Sequence, residues 1–144
     1  MINRIVVILS LLLIMVPGLI ACNAGAGKAM LDDTEWVLES YGEPGNLKAV
    51  IADTRITVEF IGAEKMVRGS AGCNSYFGTY KLKGNRVSIP GPIAVTEMFC
   101  IGPAGVMEQE QEYLDVLQSA ENCDITGDEL RINCGSQVLI FKSI

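Results

Sequence analysis

The side chains in this sequence able to carry chemistry are sulfurs and carboxylates, because its 144 residues include no histidine. That removes the general base of Ser-His-Asp and Cys-His catalysis and the commonest metal ligand. Five cysteines remain, Cys22, Cys73, Cys100, Cys123 and Cys134. None forms the Cys-x-x-Cys pair typical of zinc sites, so no metal or cofactor is expected. Glu108, Glu110, Glu112 and Asp115 have the look of an acid–base cluster. On a helix, however, several of these acids face solvent, and Glu108 and Glu110 fall early, where a carboxylate suits the positive end of the dipole. A thiol enzyme would have to use Cys100 beside Glu97. The expectation is a protein that is not an enzyme.

The first twenty-two residues decide how those sulfurs are read. Met1-Ile-Asn-Arg4 is cationic, Ile5 to Val16 is apolar apart from Ser10, and Pro17-Gly18 precedes Leu19-Ile-Ala-Cys22. A positive start, an apolar run and small residues at the cut describe a secretory signal. Its ending on cysteine resembles a bacterial lipoprotein signal. We therefore expect residues 1–21 to be removed, Cys22 to carry lipid, residues 22–31 to form a Gly/Ala-rich tether and residues 32–144 to form one domain. A domain of that size buries roughly two-thirds of its unfolded surface.

The chain carries 11 Lys+Arg against 17 Asp+Glu, formally −6, and loss of Arg4 with the leader leaves −7. Such a charge argues against nucleic acid and against electrostatic binding to anionic lipid. Membrane attachment is expected through acyl chains alone, with two or more needed for stable anchoring. Outside the reducing cytoplasm, Cys73, Cys100, Cys123 and Cys134 read as disulfide partners, with three pairings open.

The elements that would position these groups are mostly strands. Trp36 and Leu38 alternate with Glu35 and Glu39, and Ile56, Val58 and Phe60 alternate with Arg55, Thr57 and Glu59. Lys65 to Gly69 and Ile93 to Glu97 are shorter candidates. Gly84-Asn85 predicts a hairpin that sets Leu82 against Val87 and Tyr80 against Ile89. Gly42 to Ala52 reads as the longest loop. Val106, Tyr113, Leu117 and Ala120 fall on one stripe and predict a helix over 105–120. From Asn122 onward strands return. Pairing Cys123 with Cys134 would set Ile125 against Ile132 around a turn at Asp128-Glu129. About eight short strands and one helix predict a mainly β (α+β) fold, an antiparallel sheet curled into a barrel.

Several segments carry a resemblance to the META domain (HslJ-like) family. They are Thr34-Glu-Trp36-Val-Leu38, Val67-Arg-Gly69-Ser-Ala-Gly72-Cys73-Asn74-Ser-Tyr76-Phe-Gly78-Thr-Tyr80, Thr96-Glu-Met98-Phe-Cys100, the helical Glu110 with Glu112-Tyr113-Leu114, Ile125-Thr-Gly127-Asp-Glu-Leu130, and Leu139-Ile-Phe141. The Gly72-Cys73-Asn74 core and the Thr96-x-Met98-x-Cys100 element are the specific part. Phe99 departs from the small residue frequent there, and Cys123 and Cys134 are additions. The resemblance implies a compact β-rich domain, often a lipoprotein, linked to heat shock and envelope stress, with no established reaction.

Cys73 and Cys100 both lie at strand breaks and within that shared core, so they are the preferred pair. A loop of about 28 residues closed this way would stabilise by roughly 3–4 kcal/mol on the chain-entropy model. Cys123–Cys134 would be the second pair. Asn74 is expected to hold a sharp turn through its own backbone, with presentation of its amide to a ligand as the alternative. Tyr76 and Tyr80 are expected in the core. The functional expectation is a lipid-anchored envelope domain that binds a protein or small molecule or protects against stress. The alternative is a secreted-type inhibitor or interaction module presenting rigid loops, of which Gly42 to Ala52 is the candidate.

Overall fold

A computed structural model describes residues 31–144, so the leader, Cys22 and most of the tether lie outside the described residues. Eleven strands form one antiparallel sheet, curled into a half-barrel. In chain order they are β1 (Glu35–Glu43), β2 (Asn46–Ala49), β3 (Thr57–Ile61), β4 (Met66–Ser70), β5 (Ser75–Thr79), β6 (Lys81–Lys83), β7 (Arg86–Ser88), β8 (Ala94–Val95), β9 (Asn122–Thr126), β10 (Glu129–Cys134) and β11 (Gln137–Ser143). Helix α1 spans Val106–Gln118 between β8 and β9. The spatial order is β6-β7-β9-β10-β11-β1-β3-β4-β5-β8, with β2 also on β1. Only Tyr80 separates β5 from β6, so one bent run of chain serves both ends of the sheet. Among the described residues no helix is long and apolar enough to cross a membrane.

The period-2 patterns do what they predict. Trp36, Leu38, Ile56, Val58, Phe60 and Val67 are all buried. β1 stays useful beyond Leu38 because its register on β11 shifts between Leu38 and Ser40, which brings Tyr41 to the buried face. The Gly84-Asn85 hairpin pairs Leu82 with Val87 as expected. Thr57, expected outward, is buried because its hydroxyl accepts from Ser70 N and its carbonyl accepts from Tyr76 Oη.

Three expectations are corrected. First, Gly42 to Ala52 is not a long loop: β1 runs to Glu43, turns through Pro44-Gly45 and returns as β2. All four β2 residues are exposed, so no hydrophobic alternation marked the strand. Second, β5 went unread because apolar Phe77 stands outward beside inward Tyr76 and breaks the alternation. Third, β9 and β10 pair two residues away from the predicted register. Cys123 faces Ile132, Ile125 faces Leu130, and the turn is Gly127-Asp128. A two-residue slip leaves the same side chains inside, so burial alone did not select between the registers. Cys123 and Cys134 are consequently buried free thiols rather than a disulfide.

Helix α1 packs across β10 and β11. Its buried stripe contains Val106, Tyr113 and Leu117. Gln109, also buried, fixes the loop after β2: its Oε1 accepts from Ile51 N at 2.7 Å and its Nε2 donates to Thr54 Oγ1 at 3.0 Å. At the far end Gln118 Nε2 donates to Ile89 O and Gly91 O. Side-chain amides thus tie the helix to loops on both sides of the sheet.

Candidate functional site

The residues shared by the two specific sequence elements meet at one end of strands β3–β5. After β4 the chain turns back through Gly72 at φ +113°, a conformation that favours glycine. Gly69 is required for a different reason, since a Cβ there would overlap the Thr57 carbonyl. The turn delivers Asn74, 3% exposed, to the helix. Asn74 Nδ2 donates to Glu110 Oε1 at 2.7 Å, and Asn74 N donates to Glu110 Oε2 at 2.6 Å. Cys73 N donates to the same carboxylate.

The other side of the Asn74 amide holds the segment after β8. Its Oδ1 accepts from Met98 N at 2.7 Å and from Thr96 Oγ1 at 2.8 Å, while Nδ2 also donates to Met98 O at 3.0 Å. Thr96 Oγ1 accepts from Ser75 N. One residue pair further, Cys73 and Cys100 form the expected disulfide, with Cα atoms 6.0 Å apart. Asn74 therefore does not brace its own turn. It clasps a distant backbone segment, and Glu110 is the buried carboxylate that orients it. No local pattern marked that role for Glu110, although its membership of the acid run drew attention to it.

The clasp has an exposed product. Asn74's grip on Met98 and the disulfide at Cys100 hold the backbone while the neighbouring side chains point outward: Phe99, between the two, is 80% exposed, and Ile101, just past Cys100, 94%. Met98, held by its backbone, also leaves its side chain in solvent. A chain segment with its backbone fixed at two points and apolar groups displayed is preorganised for contact, because little further ordering entropy is needed on binding.

Beside this loop, across the first turn of α1, lies an open groove of about 900 Å3. Met107, Val116 and Cys134 give it apolar wall, and Glu108, Glu112 and Asp115 stand along it. Three of the four acids of the run therefore share this face, while Glu110 turns inward to the clasp. Glu112 accepts from Tyr41 Oη and pairs with Lys48. No group of three or more metal-capable side chains converges among the described residues.

The buried tyrosines and free cysteines serve the core. Tyr76 Oη donates to Thr57 O and lies 2.7 Å from Tyr113 Oη, which donates back to it. Burial raises both phenols above their ordinary range. Tyr80, at the β5–β6 corner, stacks edge-on with Phe60 and donates to Asp32 Oδ1. Burial, with a smaller push from Asp124, raises the Cys123 thiol to about 11. Burial and then Glu121 raise Cys134 to about 12. Both are poor nucleophiles, since the reactive form is the thiolate.

The META domain family matches the chain over residues 29–143. Among solved structures, an NMR structure of a protein from Burkholderia xenovorans is 26% identical, with a TM-score of 0.66, covering 85% of this chain and 88% of that one. A second NMR structure is 30% identical, with a TM-score of 0.60 and coverage of 79% and 92%. A crystal structure of a DUF4847 family protein from Bacteroides vulgatus shares the fold at 14% identity, with a TM-score of 0.57 and coverage of 80% and 95%. No curated protein matches the chain.

Proposed function

Since this chain belongs to the META domain family of small, envelope- and stress-related β domains, we propose that it is exported, held to a membrane by lipid on Cys22, and works there by binding rather than catalysis. The leader pattern ending on Cys22 supports the anchor. The Cys73–Cys100 bond supports an oxidising compartment. The observation that carries the binding reading is the loop Met98–Ile101, whose backbone is fixed by Asn74 and a disulfide while Phe99 and Ile101 stand in solvent. Exposed large apolar groups on a fixed backbone are the chemistry of an interface anchor.

The same loop favours a narrower second reading, an inhibitor-type module, with Met98–Ile101 taking the place first assigned to Gly42–Ala52. Both readings predict that function resides in side chains that contribute nothing to stability. A Phe99→Ser/Ile101→Ser double variant should melt with the parent yet fail to restore heat tolerance in a strain lacking the protein. Full restoration would overturn the binding role of the loop. Separately, incorporation of an alkyne fatty acid should disappear in Cys22→Ser; unchanged incorporation would overturn the anchor.

A further inference from the structure

We propose that residues 94–98 form a receptive sheet edge, on which an extended, apolar segment of another polypeptide pairs as an added strand. This rests on the binding reading above and names its class of partner. The backbone hydrogen bonds point to it. β8 ends the sheet, with β5 on one side and no strand on the other. Ala94 faces Phe77 and Val95 faces Tyr76. Thr96 N donates to Ser75 O, so in an antiparallel pair the N–H and C=O of Val95 turn away from β5. The same register would set Met98 against Cys73, but there the chain has left the ladder and Cys73 N donates to Glu110. The Asn74 side chain replaces the missing strand: its Oδ1 accepts from Met98 N and its Nδ2 donates to Met98 O. A side-chain amide thus carries the ladder from Thr96 to Met98 and turns the backbone of Glu97 outward, as that of Val95 is. Neither residue's N–H or C=O is bonded by another described residue. A donor and an acceptor repeated at Val95 and Glu97 along one exposed edge have the spacing that a partner strand matches.

The two ends of the sheet treat their free edges differently. β6 carries exposed Lys81 and Lys83, charges that discourage strand addition. From Ala94 to Ala104 there is no lysine or arginine. Instead Phe77 stands outward opposite Ala94, and Met98 and Phe99 are exposed beyond Glu97. Apolar contacts at both ends of a free ladder suit a chain that is at once extended and apolar, as an unfolded protein is. A bilayer fits this edge less well, since hydrocarbon can bond none of its backbone groups.

The test uses the full chain in detergent micelles, with empty micelles as the blank, and a fluorescein-labelled peptide alternating valine with serine. Saturable binding is expected, read as fluorescence anisotropy. Hydrogen exchange resolved by residue should show the Val95 and Glu97 amides at least about tenfold slower with peptide, and the Thr96 and Met98 amides slow with or without it. N-methylation of the peptide along both edges should weaken binding at least about tenfold, the scale of losing a pair of hydrogen bonds. Val95→Pro should do the same without lowering the melting temperature, because an edge N–H that faces solvent can be lost. If that variant does not fold, the methylated peptide decides with the protein unchanged. Binding that is indifferent to N-methylation and leaves both amides fast overturns the strand pairing and leaves Phe99 and Ile101 as the anchors. Slow Val95 and Glu97 amides in the peptide-free chain that quicken on dilution overturn the choice of partner in favour of a second copy. Absence of binding also overturns the edge, and the Phe99→Ser/Ile101→Ser complementation then decides the binding reading separately.

Discussion

Cysteine has two fates at two ends of this sheet. Cys73 and Cys100 lie where strands stop, half-exposed, and are bonded. Cys123 and Cys134 lie within paired strands, buried, and remain thiols. At the first end, sulfur and a buried amide fix a loop that has no apolar support of its own. At the second, β9 and β10 already pair along their length with each other and β10 with β11, and the cysteines simply fill volume. The difference teaches that an even number of cysteines in a domain does not by itself imply a complete set of bridges. A bridge stabilises where the backbone would otherwise be free.

The clasp provides the largest test. Asn74→Ala leaves one buried Glu110 oxygen and the partly buried Met98 N–H and C=O without their partner. At about 1–3 kcal/mol for each orphaned group, reduced by whatever water enters, a loss of about 4 kcal/mol is expected. Urea unfolding would measure it. A loss under about 1 kcal/mol would mean that the disulfide alone holds the loop. Replacing both Cys73 and Cys100 by Ala should cost slightly less, about 3–4 kcal/mol on the chain-entropy model. Alkylation of the denatured, unreduced chain should label Cys123 and Cys134 and spare Cys73 and Cys100. Label on the second pair would reverse the comparison.

The thiol end is sharpened by pH. Folded Cys123 and Cys134 hold their protons to about 11 and about 12. Unfolded thiols release theirs near 8.5–9. The unfolded state thus binds fewer protons above that point, so stability is full below about pH 9 and falls as pH rises toward the folded values. Tyr76 and Tyr113, raised by burial, act in the same direction above about pH 10. Urea midpoints should decline from pH 9 to 11, and the Cys123→Ala/Cys134→Ala double variant should decline less over pH 9–10. Identical profiles would remove the thiols from the account. At neutral pH each single Cys→Ala change should cost only about 1–2 kcal/mol, for lost volume.

The parts of this fold legible in the sequence are those where one residue's neighbours report its environment. Alternation located β1, β3 and the Gly84-Asn85 hairpin, and the 3.6-residue stripe located α1. What escaped depends on partners distant in sequence. Asn74 and Glu110 are 36 residues apart, and neither position's surroundings announce the other. The β9–β10 register escaped because two alignments bury the same face. The leap from Gly72-Cys73-Asn74 and Thr96-x-Met98-x-Cys100 to a single clasp needed the fold to superpose them, although resemblance had already singled out both elements.

The smallest expected effect separates two acids on one helix. Glu110 is 6% exposed and accepts from Asn74 and Cys73, whereas Glu112, two positions on, meets Lys48 at the surface and accepts from the Tyr41 hydroxyl. Lys48 and Glu112 are 57% and 36% exposed, so water already screens their attraction. Lys48→Ala should therefore cost about 0.2–1 kcal/mol, and less at high salt. Glu110→Gln should cost several times more, because its new amide N–H would face Asn74 Nδ2, donor against donor, in a buried site. Urea midpoints of the two variants at low and high salt make the comparison directly. If Glu110→Gln proved as mild and as salt-sensitive as Lys48→Ala, the carboxylate beneath Asn74 would be hydrated, and the loop would owe its position to sulfur alone.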